Sequence, residues 1–210
     1  MISCKKYYYK IISNLQKNEV FYKYYNKTKT YKESLDYSFK ILSLILKKKN
    51  NKNIYIYTYS NKSFEMYSSI FPILISGAKW IPLSTNYPIK TIENIIKQIK
   101  PDFLFFDNKN KKVKNLFLKN KAICINYKKV HKVNNKRINL NKLIDKIDIY
   151  KTAFIYFTSG STGEPKGIKI SHKNIISDIF EQKKHLYKNI SSKLVFGDYY
   201  DTAFSIFFDI

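Results

Sequence analysis

The chain has 210 residues, enough for one large domain or two small ones, and 44% of them are apolar, which excludes a chain that is disordered throughout. Its net charge of +24 suggests a polyanionic partner, but Arg137 is the only arginine among 39 basic residues, and bidentate recognition of phosphate and guanine favours arginine. The charge is therefore interpreted as a solvated surface that follows from composition, and a basic nucleic-acid-binding protein is kept only as an alternative.

An amphipathic helix is predicted from Tyr31 onward, because apolar residues recur there at helical spacing. Its apolar stripe consists of Leu35, Phe39, Leu42 and Ile45. A strand is predicted at Asn53–Tyr59, where the residues are aromatic and β-branched. The next helix is expected to begin after Ser63 as its N-cap and to stop at Gly77, with Pro72 inside it as a source of a kink.

Strands continue to alternate with helices in the middle of the chain. A short strand at Trp80–Leu83 precedes a helix from about Pro88, whose inward residues are expected to be Ile92, Ile95, Ile96 and Ile99, with Pro101 beyond its end. Two further strands are predicted, at Phe103–Phe106 and Ala122–Ile125. Two stretches rich in lysine and asparagine are predicted to be solvated loops, Asn108–Lys114 and Lys128–Asn141.

The last predicted elements are two strands and a helix. The apolar run TAFIYF, residues 152–157, is typical of a parallel strand covered on both faces. GIKI, residues 167–170, is expected to be a short strand, and Ser171 is expected to cap the helix that follows. This alternation predicts an α/β fold of layered, largely parallel sheets flanked by helices.

Cysteines, histidines and the N-terminus exclude several further classes of protein. Cys4 and Cys124 form neither a C-x-x-C pair nor a disulfide framework, and the three histidines are scattered, so no metal site built from them is expected. The N-terminal segment lacks the apolar core of a signal peptide, and no apolar run approaches the length of a membrane span. We therefore expect a soluble, cytoplasmic protein without a membrane partner.

A glycine-rich loop follows the strand at 152–157. In the stretch IYFTSGSTGEPKGIKISH, residues 155–172, Gly160, Gly163 and Gly167 fall within eight residues. Backbone N–H groups and hydroxyls at the carboxyl edge of a sheet form an anion-binding nest, to which Lys166 adds a mobile positive charge. Phosphate is the expected ligand, and a plain surface turn is the alternative. The spacing excludes a Walker loop, because Gly167 follows Lys166 where Ser or Thr is required.

Two stretches resemble the adenylate-forming superfamily, which includes acyl-CoA synthetases, adenylation domains of nonribosomal peptide synthetases and D-alanine carrier-protein ligases. YFTSGSTGEPKGIKISHKNI is similar to its phosphate-binding signature, and GAKWIPLSTNYPIKTIENIIKQIKPDFLFFD, residues 77–107, is similar to a second segment. YKESLDYSFKILSLIL resembles an early helix, so the likeness runs in family order from about Tyr31. The resemblance implies that residues 1–210 are a partial AMP-binding N-terminal domain.

The resemblance implies a reaction in which a carboxylate attacks the α-phosphate of ATP, pyrophosphate leaves, and a thiol of CoA or a carrier protein then takes the acyl group. It assigns the ATP phosphates to Thr158, Ser159, Gly160, Ser161, Thr162, Gly163 and Lys166. Pro165 and Gly167 would shape the loop rather than bind. PLSTNYP is closer to amino-acid-activating members, and in YYDTAFSIF Asp201 would pair with a substrate ammonium; the alternative is a helix-start or loop aspartate.

Other segments of the family have no counterpart in these residues, including the glutamate that binds Mg²⁺, the C-terminal lysine and the C-terminal subdomain. We therefore expect a truncated or split adenylating protein, inactive alone, which a second polypeptide would complete. No catalytic residue and no metal ligand are assigned to this chain. Two alternatives stay open besides nucleic-acid binding: an acyl-CoA synthetase-type fragment, and a non-catalytic module that binds a nucleotide or docks a partner.

Overall fold

A computed structural model describes residues 4–48, 53–107, 110–134, 136–159 and 164–185. Within these ranges the chain forms eight strands and eight helices. The strands are β1 (Val20–Tyr24), β2 (Lys27–Thr30), β3 (Tyr55–Tyr59), β4 (Lys79–Leu83), β5 (Phe103–Phe106), β6 (Ile123–Asn126), β7 (Thr152–Ser159) and β8 (Pro165–Ser171). The helices are α1 (Cys4–Leu15), α2 (Tyr31–Lys47), α3 (Phe64–Ile75), α4 (Ile89–Gln98), α5 (Lys111–Lys119), α6 (Tyr127–Val130), α7 (Leu140–Asp145) and α8 (His172–His185).

Six strands form one sheet in the order β6-β5-β3-β4-β7-β8. Its neighbours are parallel except β7 and β8, which are antiparallel, and β1 and β2 form a separate antiparallel pair. The predicted α/β fold with a largely parallel sheet is confirmed. Because β3 to β7 run in one direction, their carboxyl ends meet at one edge, where α/β proteins bind ligands.

Helices cover both faces of the sheet. One face packs against α2 and α3, and we call it the α2–α3 face. Its strand residues are Ile56, Trp80, Phe103, Phe105 and Phe154. The α4–α5 face packs against the other two and is formed by Tyr57, Tyr59, Ile81, Leu83, Leu104, Ile155 and Phe157. Both faces are buried, which explains why the strands have continuous apolar runs rather than alternating ones.

Helix α3 contains a proline whose cost is partly offset by a neighbouring helix. Pro72 has no N–H to donate to the carbonyl of Ser68, four residues before it. The hydroxyl of Ser38 on α2 lies 3.1 Å from that carbonyl oxygen, and also 2.8 Å from the carbonyl of Ser34. Ser63 caps the start of α3 and Gly77, with a φ of 76°, follows its end, as predicted.

The burial of helix α2 differs from the predicted stripe. Leu42 and Ile45 are buried, but Leu35 and Phe39 are only partly so, and the sheet side is filled by Tyr37 and Ile41. The reason is that α2 is covered from two directions, by the sheet and by a separate cluster that contains residues of α1 and α7. A prediction of one apolar stripe holds for a helix that is buried on one side only, and α2 is buried on two.

The two lysine-rich stretches are loops only in part: residues 131–134 and 136–139 lie outside helices and strands as predicted, but both stretches also contain helical residues. Helix α5 begins at Lys111 within the first stretch, because Asn110 caps it and Val113 and Phe117, four residues apart, are buried. The second stretch includes most of α6 and the start of α7, where Val130 and Leu140 are buried. Ile99 is also less buried than predicted, since it is the C-cap of α4. The sequence analysis made no prediction for α1 or the β1–β2 pair.

The junction between β8 and α8 is held by side-chain hydrogen bonds of Ser171 and His172. The hydroxyl of Ser171 accepts a hydrogen bond from the backbone N–H of Asn174 at 3.1 Å, which confirms the predicted cap. His172 is buried, and the hydroxyl of Tyr8 on α1 lies 2.6 Å from its Nδ1. Burial lowers the pKa of His172 to about 4, whereas Asp148 acts in the opposite direction. The imidazole is therefore neutral at neutral pH.

The lowered pKa of His172 predicts a pH dependence of stability. Because the unfolded chain binds this proton near pH 6.5 and the folded chain only near pH 4, the free energy of unfolding should fall as the pH drops through that window. The loss should reach at most roughly 3 kcal/mol. The free energy of unfolding, measured with urea at several pH values in this range, should depend less steeply on pH in His172→Leu than in the wild type. His185→Leu, at an exposed position, is the control and should keep the wild-type pH dependence. An equal pH dependence in His172→Leu and in the wild type would contradict this account.

Candidate phosphate-binding site

The predicted phosphate-binding residues lie on the β7–β8 hairpin. Thr158 on β7 is directly opposite Lys166 on β8, and Ser159 is opposite Pro165. Side chains of opposed residues lie on the same face of a sheet, so Thr158 and Lys166 share one face, and both are exposed. Gly160, Ser161, Thr162, Gly163 and Asp201 lie outside the described residues. The hairpin therefore brings together one predicted hydroxyl and the predicted lysine at the base of the loop.

The start of the hairpin is anchored in the sheet. Over the described residues, the register between β4 and β7 is set by one pair, Trp80 and Phe154, whose ring centroids are 5.3 Å apart. Both side chains are buried. Beyond this pair the carboxyl half of β7 pairs with β8 alone, so other contacts must hold that half of the hairpin in place.

Side chains from the segment after β4 supply those contacts. The hydroxyl of Tyr87 donates to the backbone oxygen of Phe157 at 3.3 Å, and the amide Nε2 of Gln98 donates to the backbone oxygen of Pro165 at 2.8 Å. The amide Nδ2 of Asn94 donates to the carboxylate of Glu164 at 2.9 Å. The bond from Tyr87 holds the end of β7, and the bonds from Gln98 and Asn94 hold the start of β8 and the residue before it. The tips of β3 and β4 are joined in turn by the Tyr59 hydroxyl and the Thr85 carbonyl, at 3.3 Å.

Sequence reasoning missed these three tethering residues, although a signal for two of them was present. Asn94 and Gln98 are four residues apart, and such positions share one side of a helix. They are uncharged polar residues at the border of the apolar face of Ile92, Ile95 and Ile96. Polar amides at that border indicate hydrogen bonds to a neighbouring segment, but the sequence does not say which segment.

Close packing within the hairpin favours glycine at position 167. A Cβ added at this position would lie 3.1 Å from the ring atoms Cε1 and Cζ of Phe157, and 3.4 Å from Ile155. Phe157 is directly opposite Gly167 in the register and is buried in the α4–α5 face. The absence of a side chain therefore lets β8 lie against the ring, in line with the shaping role predicted for this glycine.

Charges are unevenly distributed along the hairpin. Among the described residues, no carboxylate lies within ion-pair distance of the Lys166 ammonium. At the other end of β8, Lys79, Lys151 and Lys169 lie near each other, and burial together with these two neighbours lowers the pKa of Lys79. Lys166 is thus an exposed cation at the base of the loop, three residues along β8 from Lys169, the nearest member of the lysine cluster in sequence.

Neither a metal centre nor a membrane span is found in the described part of the chain. No three His, Cys, Asp or Glu side chains come together there in a way that could hold a metal ion. None of the helices described combines the length and the apolar composition needed to cross a bilayer.

Comparison with known proteins identifies a family. The model of a family described as AMP-binding enzyme matches residues 13–210. Bacitracin synthase 1 from Bacillus licheniformis is 28% identical over 163 residues, which are 76% of this chain and 3% of that protein. O-succinylbenzoate coenzyme A synthetase from Bacillus subtilis, solved with AMP, has a TM-score of 0.65 at 18% identity and covers 83% of this chain.

A third protein agrees with the fold. MatB from Rhodopseudomonas palustris, solved with ATP bound, has a TM-score of 0.66 at 16% identity and covers 86% of this chain. The present chain spans 45% of the O-succinylbenzoate synthetase and 37% of MatB. It therefore corresponds to less than half of either solved protein.

The contact at Gly167 predicts a cost for adding one methyl group. Gly167→Ala should destabilise the folded chain by about 1–3 kcal/mol, because the buried ring of Phe157 must move or the hairpin must open. Urea unfolding of wild type, Gly167→Ala, Phe157→Leu and the double variant measures this. In the double variant the two losses should not add, since the smaller side chain makes room for the methyl group. Additive losses would show that the contact does not matter.

Proposed function

Because the chain belongs to the AMP-binding enzyme family, we propose that it is part of an ATP-dependent enzyme that activates an amino acid as its adenylate. In this reaction a carboxylate oxygen attacks the α-phosphorus of ATP, the bond from that phosphorus to the bridging oxygen breaks, and pyrophosphate leaves with the bond's electrons. The protein must align two anions and offset their repulsion. The alternative is an acyl-CoA synthetase type, which would activate a different carboxylate by the same first step.

The observation that carries the proposal is the opposed pair of Thr158 and Lys166 at the base of the loop. In the proposed site, the hydroxyl of Thr158 donates a hydrogen bond to a phosphate oxygen, and the Lys166 ammonium stabilises charge on the β- and γ-phosphates or on the leaving pyrophosphate. The proposal extends to the backbone and hydroxyls of 159–163, with glycines that let the backbone approach phosphate oxygens closely.

The choice of an amino acid is supported by sequence rather than by geometry. Bacitracin synthase 1 matches 76% of the chain, and the PLSTNYP stretch is closest to amino-acid-activating members. We assign Asp201 to the substrate ammonium, as the resemblance of its segment implies. An unpaired ammonium in a dry site would be costly, so this one carboxylate would select amino acids over simple fatty acids.

The proposal treats residues 1–210 as a partial domain whose reaction needs more than these residues. Mg²⁺ would accompany ATP and be held by groups other than the described side chains. A second polypeptide would supply the remaining segments, and CoA or a carrier protein would accept the acyl group. A specific nucleic acid is not among the proposed partners, and a cytoplasmic location stays a prediction.

Loss of the lysine charge should weaken ATP binding. Lys166→Ala should raise the Kd for ATP by an amount equivalent to roughly 1–3 kcal/mol, as for a lost hydrogen bond to a charged group. Titration calorimetry of the folded chain measures this. Lys169→Ala removes the same charge from the same strand, about 10 Å further from the loop, and should change the Kd much less.

Equal affinity for ATP in the wild type and in Lys166→Ala would contradict the assignment of the loop. Equal losses in Lys166→Ala and Lys169→Ala would indicate that the affinity reflects overall charge. Steep salt dependence of DNA binding without affinity for ATP would instead favour the nucleic-acid alternative.

The substrate and the incompleteness are tested together by exchange of pyrophosphate into ATP. Residues 1–210 alone should show no appreciable exchange, because losing even one stabilising donor typically costs roughly 10²–10³-fold in rate. Mixing with a polypeptide that carries the remaining family segments should restore exchange that depends on an amino acid, and Asp201→Ala should abolish it. Robust exchange by the chain alone would contradict the proposal that the reaction needs more than residues 1–210. Exchange with a fatty acid, unchanged in Asp201→Ala, would favour the acyl-CoA synthetase type.

A further inference from the structure

We propose that Asn94 is a positioning residue that holds the carboxylate of Glu164 away from Lys166 and so keeps the lysine charge available to phosphate. The inference rests on the proposed function, because it takes Lys166 as a phosphate ligand. Asn94 acts through Glu164 and is not placed in contact with the nucleotide. The proposal gives a role to two residues that the sequence analysis left without one.

A glutamate at this position is a problem for an anion site. Glu164 stands directly before β8 and two residues before Lys166, so their long side chains are close neighbours along the chain. An unrestrained carboxylate can therefore reach the Lys166 ammonium and pair with it. Such a pair would neutralise the cation, and the negative charge would also repel a polyphosphate.

The contact with α4 holds the carboxylate on the side of the sheet that α4 covers. The Asn94 amide Nδ2 donates to Oε2 of Glu164 at 2.9 Å, and α4 packs on the α4–α5 face. Lys166 shares its face with Thr158. The next residue, Gly167, lies opposite Phe157, whose side chain is in the α4–α5 face, and successive residues of a strand point to opposite faces. The lysine therefore lies on the α2–α3 face, and Asn94 draws Glu164 away from it.

The absence of an ion pair agrees with this geometry. Within the described residues, no carboxylate oxygen is within ion-pair distance of the Lys166 ammonium, although Glu164 is its near neighbour in sequence. Both Glu164 and Lys166 are exposed, so no packing against other side chains keeps them apart. The bond to Asn94 is the contact that the structure gives to the Glu164 side chain.

Gln98 provides a matched control on the same helix. Its amide Nε2 donates to the backbone oxygen of Pro165 at 2.8 Å, one residue from Glu164. Gln98→Ala therefore removes another tether from the same hairpin but frees no charge. Any effect of Gln98→Ala on phosphate binding should be independent of salt and of the charge at position 164.

The experiment measures binding of ATP and inorganic tripolyphosphate by calorimetry at about 0.05 M and about 0.3 M salt. Asn94→Ala should weaken binding of both by about two- to fivefold at low salt, and the loss should shrink at high salt. In a Glu164→Gln background, Asn94→Ala should have no effect. An equal loss in both backgrounds would mean that Asn94 is only a tether, which would overturn the inference.

A second readout needs no phosphate ligand. An amine-reactive reagent modifies the neutral form of lysine, so pairing with a carboxylate slows the labelling of Lys166. Mass spectrometry should find slower labelling of Lys166 in Asn94→Ala, and wild-type labelling in Asn94→Ala/Glu164→Gln. Unchanged labelling in Asn94→Ala would overturn the inference. If labelling slows as expected but neither ATP nor tripolyphosphate binds the wild type, the proposed function fails while the Asn94–Glu164 contact acts as described.

Discussion

The pairing of Trp80 with Phe154 is the contact on which the position of the loop depends. It joins β7 to the parallel sheet at the start of the hairpin, and the register continues from there along β8 alone. A hairpin held only at its base would leave the loop free to swing. The structure prevents this with hydrogen bonds from Tyr87 and Gln98, which hold the backbone on both sides of the loop.

This arrangement explains why the two recognisable sequence segments occur together. The segment that ends β4 and forms α4 supplies Tyr87, Asn94 and Gln98, and the glycine-rich segment supplies the backbone that they hold. The two are far apart in sequence but adjacent in space, because β4 and β7 are neighbours in the sheet. One segment would bind phosphate, and the other would fix where the binding groups point. Substitutions in α4 should therefore affect the site without touching a ligand.

Much of the fold could be predicted from the sequence, and the errors have physical causes. The strands with continuous apolar runs, such as Phe103–Phe106, were predicted correctly because burial on both faces leaves an unambiguous pattern. Helix α5 was missed because Val113 and Phe117 are two apolar residues among lysines, and tertiary packing rather than composition makes that segment a helix. In the candidate site, Thr158 and Lys166 could be named from the motif. The role of the tethers could not, because the sequence shows the amides of Asn94 and Gln98 on one side of α4 but not the distant hairpin that they contact.

The central claim is that the loop between β7 and β8, rather than the general positive charge, holds the triphosphate. Backbone amide NMR during titration with tripolyphosphate, ATP and adenosine tests it most directly. The account predicts that both phosphate ligands shift the amides of residues 158–164 and Lys166, and that adenosine leaves them unchanged. Largest shifts around Lys79, Lys151 and Lys169, at the opposite end of the hairpin, would contradict it and indicate binding to the basic surface.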